Sequence, residues 1–126
     1  MIASNSFCVI LYLKTVNTTA HRQERKVKMD NGNTLIIALG GEIDHHKAAE
    51  LRYEIDEMIM SERPEKLTFD FTNVTFMDSS GIGLILGRHR LLCSLGGKVE
   101  VTGASKKIEC LFKMSGVDKI VTLNQH

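Results

Sequence analysis

The chain predicts an α/β domain in which helices pack on a mixed sheet. Leu35 to Leu39 is an unbroken apolar run of strand length, and "LTFDFT" from Leu67 to Thr72 alternates apolar with polar residues. Between them, apolar positions recur at the spacing of a helix. A strand, a helix and a second strand in that order form the repeating unit of α/β folds.

Each element follows from its own residues. "RKVKMDNGNTLIIALGGEI", Arg25 to Ile43, reads as strand, turn and strand, with Asn31-Gly32 supplying the positive φ angles of a tight hairpin. The continuous apolarity of Leu35 to Leu39 predicts a strand covered on both faces. From His46 to Met60, Ala48, Leu51, Ile55, Met58 and Ile59 mark one helix face, and Glu50, Arg52, Glu54, Asp56 and Glu57 fill the wet side. Ser61 to Pro64 ends that helix. Leu67, Phe69 and Phe71 then share one face of a strand, and Asn73 to Asp78 is expected to be its exit loop. Ser79 to Leu95 reads as a helix despite Gly81, Gly83 and Gly87, stopped by Gly96-Gly97. "KVEVT" is a further strand, Ala104 to Ser115 a helix carrying Ile108, Leu111 and Phe112, and "KIVTL", Lys119 to Leu123, a last strand.

At 126 residues, with 43% hydrophobic and 25% charged side chains, the composition is that of a single globular domain. Sixteen basic against fifteen acidic residues leave a net charge of +1, which gives no electrostatic footprint for nucleic acid or an anionic membrane. Cys8, Cys93 and Cys110 are odd in number and widely spaced, so they mark neither a disulfide framework nor a zinc pattern, and reduced cytoplasmic thiols are expected. No apolar run reaches the roughly 18 residues of a membrane span. "FCVILYLKTV", Phe7 to Val16, resembles a short signal-peptide core but lacks a basic segment before it and a small-residue cleavage site after it. With the polar stretch Asn17 to Lys26 behind it, residues 1–24 read as an extension of unknown role and 25–126 as the domain.

The chemistry concentrates in "FMDSSGIG", Phe76 to Gly83. A serine hydrolase elbow needs glycine two positions before the nucleophile, where Ser79 and Ser80 have Met77 and Asp78. The histidines, at 21, 45, 46, 89 and 126, have no spacing that ties one to the serines as a base. Gly81-Ile82-Gly83 opens a helix after a strand, but the third glycine of a dinucleotide fingerprint is displaced to Gly87, and there is no P-loop lysine. Asp44, Asp70 and Asp78 could converge on a hard cation, against the simpler roles of caps and loop hydrogen bonds. A modifiable helix start remains. Asp78, Ser79 and Ser80 are all good N-cap residues, and the glycines after them let a second protein's backbone approach. A phosphate here would meet the positive end of a helix and set about −2 of charge beside Asp78.

"GGEIDHHKAAELR" at Gly40 to Arg52, "FMDSSGIGLILGRHR" at Phe76 to Arg90 and "LFKMSGVDKI" at Leu111 to Ile120 together resemble the STAS domain of bacterial anti-anti-sigma factors. The similarity runs from about Arg25 to Leu123, and Asp44-His45-His46 with Met77 to Gly81 is nearest to the members that act in sporulation. The resemblance implies a regulator without catalysis or cofactor, neither bound to nucleic acid nor to a membrane. In its unmodified form such a protein binds an anti-sigma factor that is also a serine kinase with bound nucleotide, and the sigma factor is released. The kinase then phosphorylates the first serine, here Ser79, and a serine phosphatase resets it. The resemblance carries over Asp78, Ser80 and Gly81 as the frame of Ser79, Asp44 as the acidic residue brought near it, and His45, Ile82 and Gly83 as the rest of a docking surface. A STAS module that senses a nucleotide or other small ligand is the alternative function.

The chain departs from the family at its two ends. Residues 1–24 precede the usual first strand, and the chain stops at Asn124-Gln125-His126 where a further helix is usual. Truncation and replacement cover by Phe7 to Val16 are the two readings of the second departure.

Overall fold

A computed structural model describes residues 26–29 and 33–124. Its sheet has five strands, β1 (Lys26–Met29), β2 (Thr34–Ile43), β3 (Lys66–Met77), β4 (Lys98–Thr102) and β5 (Thr122–Asn124), lying side by side in sequence order. β1 runs antiparallel to β2, and every later pair is parallel. The parallel pairs require crossovers, which are supplied by α1 (His45–Glu62), α2 (Ser79–Ser94) and α3 (Lys106–Ser115). This is the mixed α/β sheet that the sequence predicts.

β1 and β2 pair from Lys26 opposite Ala38 to Met29 opposite Leu35, in hairpin register. The Asn31-Gly32 turn and the Phe7 to Val16 segment lie outside the described residues. In β2 the burial alternates. Leu35, Ile37 and Leu39 are at most 3% exposed, whereas Ile36 and Ala38 between them are half-buried. The expectation of cover on both faces therefore holds only in part: one face takes the helices, and the other, which carries Ile36 and Ala38, is half-buried. On that far side Glu100 draws Lys66 Nζ to 3.5 Å of Oε1, accepts from Thr68 Oγ1 at 3.4 Å, and accepts from Asn124 Nδ2.

On the covered face Leu67, Phe69 and Phe71 meet the apolar stripes of the helices. Phe71 stands edge-on to both Phe69 and Phe112, at ring separations of 6.4 and 5.7 Å. All five helix positions predicted for α1, Ala48, Leu51, Ile55, Met58 and Ile59, are buried. α2 ends in a Schellman motif: Gly96 takes φ 86°, its N–H donates to Cys93 O at 3.1 Å, and Gly97 N–H donates to Leu92 O at 2.8 Å.

Two boundaries differ from the sequence expectation. Asn73 to Met77 is not a loop, because β3 continues to Met77, its twelve residues lying against the ten of β2. Register shifts between Ala38 and Gly40, and between Gly41 and Glu42, absorb extra residues, so Val74 and Met77 both turn inward and the simple alternation is lost. "KIVTL" is not one strand either. After the left-handed Gly116, Val117–Lys119 forms a 3-10 turn, with Lys119 N–H bonded to Gly116 O and Ile120 N–H to Val117 O, and pairing begins only at Thr122.

Candidate functional site

The last paired residues of β2 and β3 are Ile43 and Met77, so the next residues, Asp44 and Asp78, leave the sheet side by side. Asp78 N–H still reaches Ile43 O, at 3.4 Å. Each aspartate is extended and caps the helix it precedes. Asp44 Oδ1 accepts from Lys47 N–H at 2.9 Å at the start of α1, and Asp78 Oδ1 accepts from Ser80 N–H at 2.8 Å at the start of α2. Two helix N-termini thus open at one edge of the sheet, each with its positive end outward.

Three sequence candidates for the α2 cap are resolved by this geometry: the cap is Asp78, and Ser79 is the first helical residue. Ser79 is exposed, and its hydroxyl has no hydrogen-bond partner among the described residues. Ser80 is half-buried, with Oγ 3.4 Å from Nδ1 of His45, the exposed first residue of α1. That histidine stands on the neighbouring serine, Ser80, and not on Ser79. Gly81 is buried, and a Cβ built on it would lie 2.2 Å from Met77 Cγ. Ile82 is 8% exposed and belongs to the core. Gly83 is exposed, and a Cβ there would meet nothing within 4 Å.

Asp70 does not join Asp44 and Asp78. It stays within β3, where Oδ1 accepts from Thr72 N–H at 3.0 Å and from Thr72 Oγ1 at 2.6 Å. Among the described residues no group of three potential metal ligands assembles, and none of the helices is long and apolar enough to cross a membrane.

Behind the serine loop, α1 and α2 leave a cleft of about 190 Å³ that includes His45, Ala49, Arg52, Ser80 and Gly83 in its walls. Beyond the cleft the helices are tied by Arg88 Nε on α2 and Asp56 Oδ1 on α1, 2.7 Å apart. Arg88 is 6% exposed, and burial pulls its guanidinium below its ordinary pKa, with Asp56 opposing the shift and Arg52 adding to it. Sequence reasoning did not single out Arg52, Ala49 or Arg88. Arg88 had one signal, since it falls four residues from both Leu84 and Leu92 on the buried stripe of α2. Arg52 had none, because it reads as one more charge on a wet helix face.

The arrangement presents a bare hydroxyl at a helix start, framed by two carboxylates and a histidine. The STAS domain profile matches residues 25–126. Over 89 residues the chain is 39% identical to the anti-sigma F factor antagonist of Paenibacillus polymyxa, covering 71% of this chain and 76% of that one. It is 33% identical over 92 residues to the protein of that name from Lysinibacillus sphaericus, covering 73% and 79%. The solved structure of the anti-sigma factor antagonist SpoIIAA in its unphosphorylated form superposes with a TM-score of 0.72 at 30% identity, covering 81% of this chain and 87% of that one. The phosphorylated form of Bacillus SpoIIAA superposes at 0.66, also with 30% identity, covering 81% and 90%.

Proposed function

This chain belongs to the STAS-domain family, and on that footing we propose that it is an anti-sigma factor antagonist switched by phosphorylation of Ser79. The observation that carries the reading is the exposed Ser79 hydroxyl, without a hydrogen-bond partner among the described residues, at the start of α2 and beside the start of α1. Relatives named as anti-sigma F factor antagonists, and the two phosphorylation states solved for SpoIIAA, support it.

In the unmodified state Asp44, His45, Ser79 and Gly83 form the contact surface for an anti-sigma factor that is also a serine kinase holding a nucleotide. Asp78, Gly81 and Ile82 act from below, by fixing the loop against the core, and Ser80, 3.4 Å from His45 Nδ1, joins the contact surface. Binding displaces the sigma factor, so the output is cytoplasmic transcription control of the kind used in sporulation. The Ser79 oxygen then attacks the γ-phosphorus of ATP, ADP departs, and a base of the kinase takes the hydroxyl proton. The new phosphate carries about −2 of charge. The helix N-terminus favours it locally, so the fold survives, but Asp44 and Asp78 already make this edge acidic and a docked surface must now accommodate a bulky dianion. A serine phosphatase restores the hydroxyl.

Incubation with the anti-sigma kinase of the same organism and ATP should place one phosphate on Ser79, read by mass spectrometry. Ser79→Ala should bind the kinase and remain unmodified, and Ser79→Asp should bind at least about tenfold more weakly. Phosphate that still appeared on Ser79→Ala would overturn the assignment.

A further inference from the structure

The cleft between α1 and α2 has walls of unequal character. Ala48, Ala49 and Gly83 are small and leave it open, while Arg52 and His45 bring the only basic side chains among its lining residues. Arg52 is exposed and has no ion-pair partner among the described residues. Its neighbouring acids are engaged elsewhere. Asp56, four residues along α1, is held by Arg88 at 2.7 Å, Glu50 meets His46 Nε2 at 3.1 Å, and Asp44 caps α1. Arg88 itself adds a second guanidinium nearby, close enough to Arg52 for the two charges to repel. Arg52 therefore meets the cleft without a paired carboxylate among the described residues.

We propose that this cleft receives a carboxylate side chain of the anti-sigma factor, paired with Arg52 and completed by hydrogen bonds from Ser80 and His45. The proposal rests on the partner-binding reading above and specifies one contact within it. A guanidinium offers a carboxylate two parallel donors, and the Ser80 hydroxyl can supply a further one once it turns from His45. At about 190 Å³ the cleft admits an aspartate or glutamate tip with room for bridging water, each water taking roughly 30 Å³. Its position also gives the switch a direct physical action. Ser80 lines the cleft and Ser79 precedes it, so a phosphate on Ser79 brings negative charge to the rim and repels the incoming carboxylate.

The test is calorimetric affinity for the nucleotide-loaded anti-sigma kinase of the same organism. Arg52→Glu should weaken binding about thirtyfold or more, Arg52→Lys about tenfold or less, and the salt dependence of binding should shrink in Arg52→Glu. Gly83→Trp, which fills the cleft from its other wall, should weaken binding as well. Lysine substitution of one acidic partner residue should restore affinity to Arg52→Glu. Thermal melting should be unchanged in the Arg52 variants, because the side chain is exposed. Wild-type affinity in Arg52→Glu, with Ser79→Asp still weakened, would overturn the carboxylate receptor and leave the phosphoswitch standing. Tighter binding by Arg52→Glu would overturn it by showing a cationic occupant. If neither Arg52→Glu nor Ser79→Asp altered binding, the underlying partner reading would fall together with this contact.

Discussion

Gly81 and Gly83 are two residues apart in the first turns of α2, yet the same substitution should act on them with opposite sign. A methyl on Gly81 would sit 2.2 Å from Met77 Cγ and 2.3 Å from Met77 Sδ, so the side chain beneath the serine loop has to move. Overpacking of this kind costs about 1–3 kcal/mol, more than the roughly 1 kcal/mol that alanine gains over glycine in a helix. Gly81→Ala should therefore lower stability by about 1 kcal/mol, measured as a lower denaturant midpoint at unchanged slope. At Gly83 the space is open, so only the propensity gain remains, and Gly83→Ala should raise stability by about 0.5–1 kcal/mol. Matching effects at the two positions would contradict the packing described for Gly81.

α1 and α2 are held to one another by a pair far apart in sequence, and a distant asparagine joins the end of α1. Arg88 is buried against Asp56, whose carboxylate side is 37% exposed, so water screens the pair from one side. Removing one partner of a fully buried pair costs about 3–5 kcal/mol, and with this exposure Asp56→Asn should cost about 1–2 kcal/mol. The double variant Asp56→Leu with Arg88→Met should cost less than Asp56→Asn alone, because no buried charge is left without a counterion. Urea unfolding of the three proteins decides the order. At the end of α1, Arg63 takes φ 45° to let its N–H reach Ile59 O at 2.8 Å, while Asn33 Nδ2 donates to its carbonyl at 3.4 Å. A side chain in that left-handed region costs about 1 kcal/mol, so Arg63→Gly should stabilise by about 0.5 kcal/mol after the extra flexibility of the unfolded glycine is counted. A lower melting temperature for Arg63→Gly would show that the arginine side chain contributes more than its strain removes.

For the molecule as a whole, stability should be graded across the sheet. β2 and β3 pair over Thr34 to Ile43 and carry the fully buried Leu35, Ile37, Leu67 and Phe69, whereas β5 offers three residues, none of them fully buried. Amide exchange should accordingly be slowest at Leu35 to Ile37 and Leu67 to Phe71 and fastest, among the parallel strands, in Thr122–Asn124. The grading suits the proposed switch. The two capping aspartates leave from the ends of the slowest pair, so the edge that presents Ser79 is anchored on the most stable part of the sheet.

The order of elements, the core stripe of α1 and the alternating strand from Leu67 were legible in the sequence because each depends on a local period. The serine loop was legible as a helix start for the same reason: Asp78, Ser79 and Ser80 are capping residues in any context. The continuation of β3 through Asn73 to Met77 was not, since β-bulges against β2 reverse the inward and outward assignment and only the partner strand reveals them. Neither was the choice of Asp78 as cap, which leaves Ser79 out of the capping role, nor the cleft between α1 and α2. Sequence by itself determined which residue types stand at each helix start. Tertiary structure decided that two such starts lie together, because parallel pairing of β2 and β3 ends both strands at one edge, and no local pattern encodes which strand lies beside which.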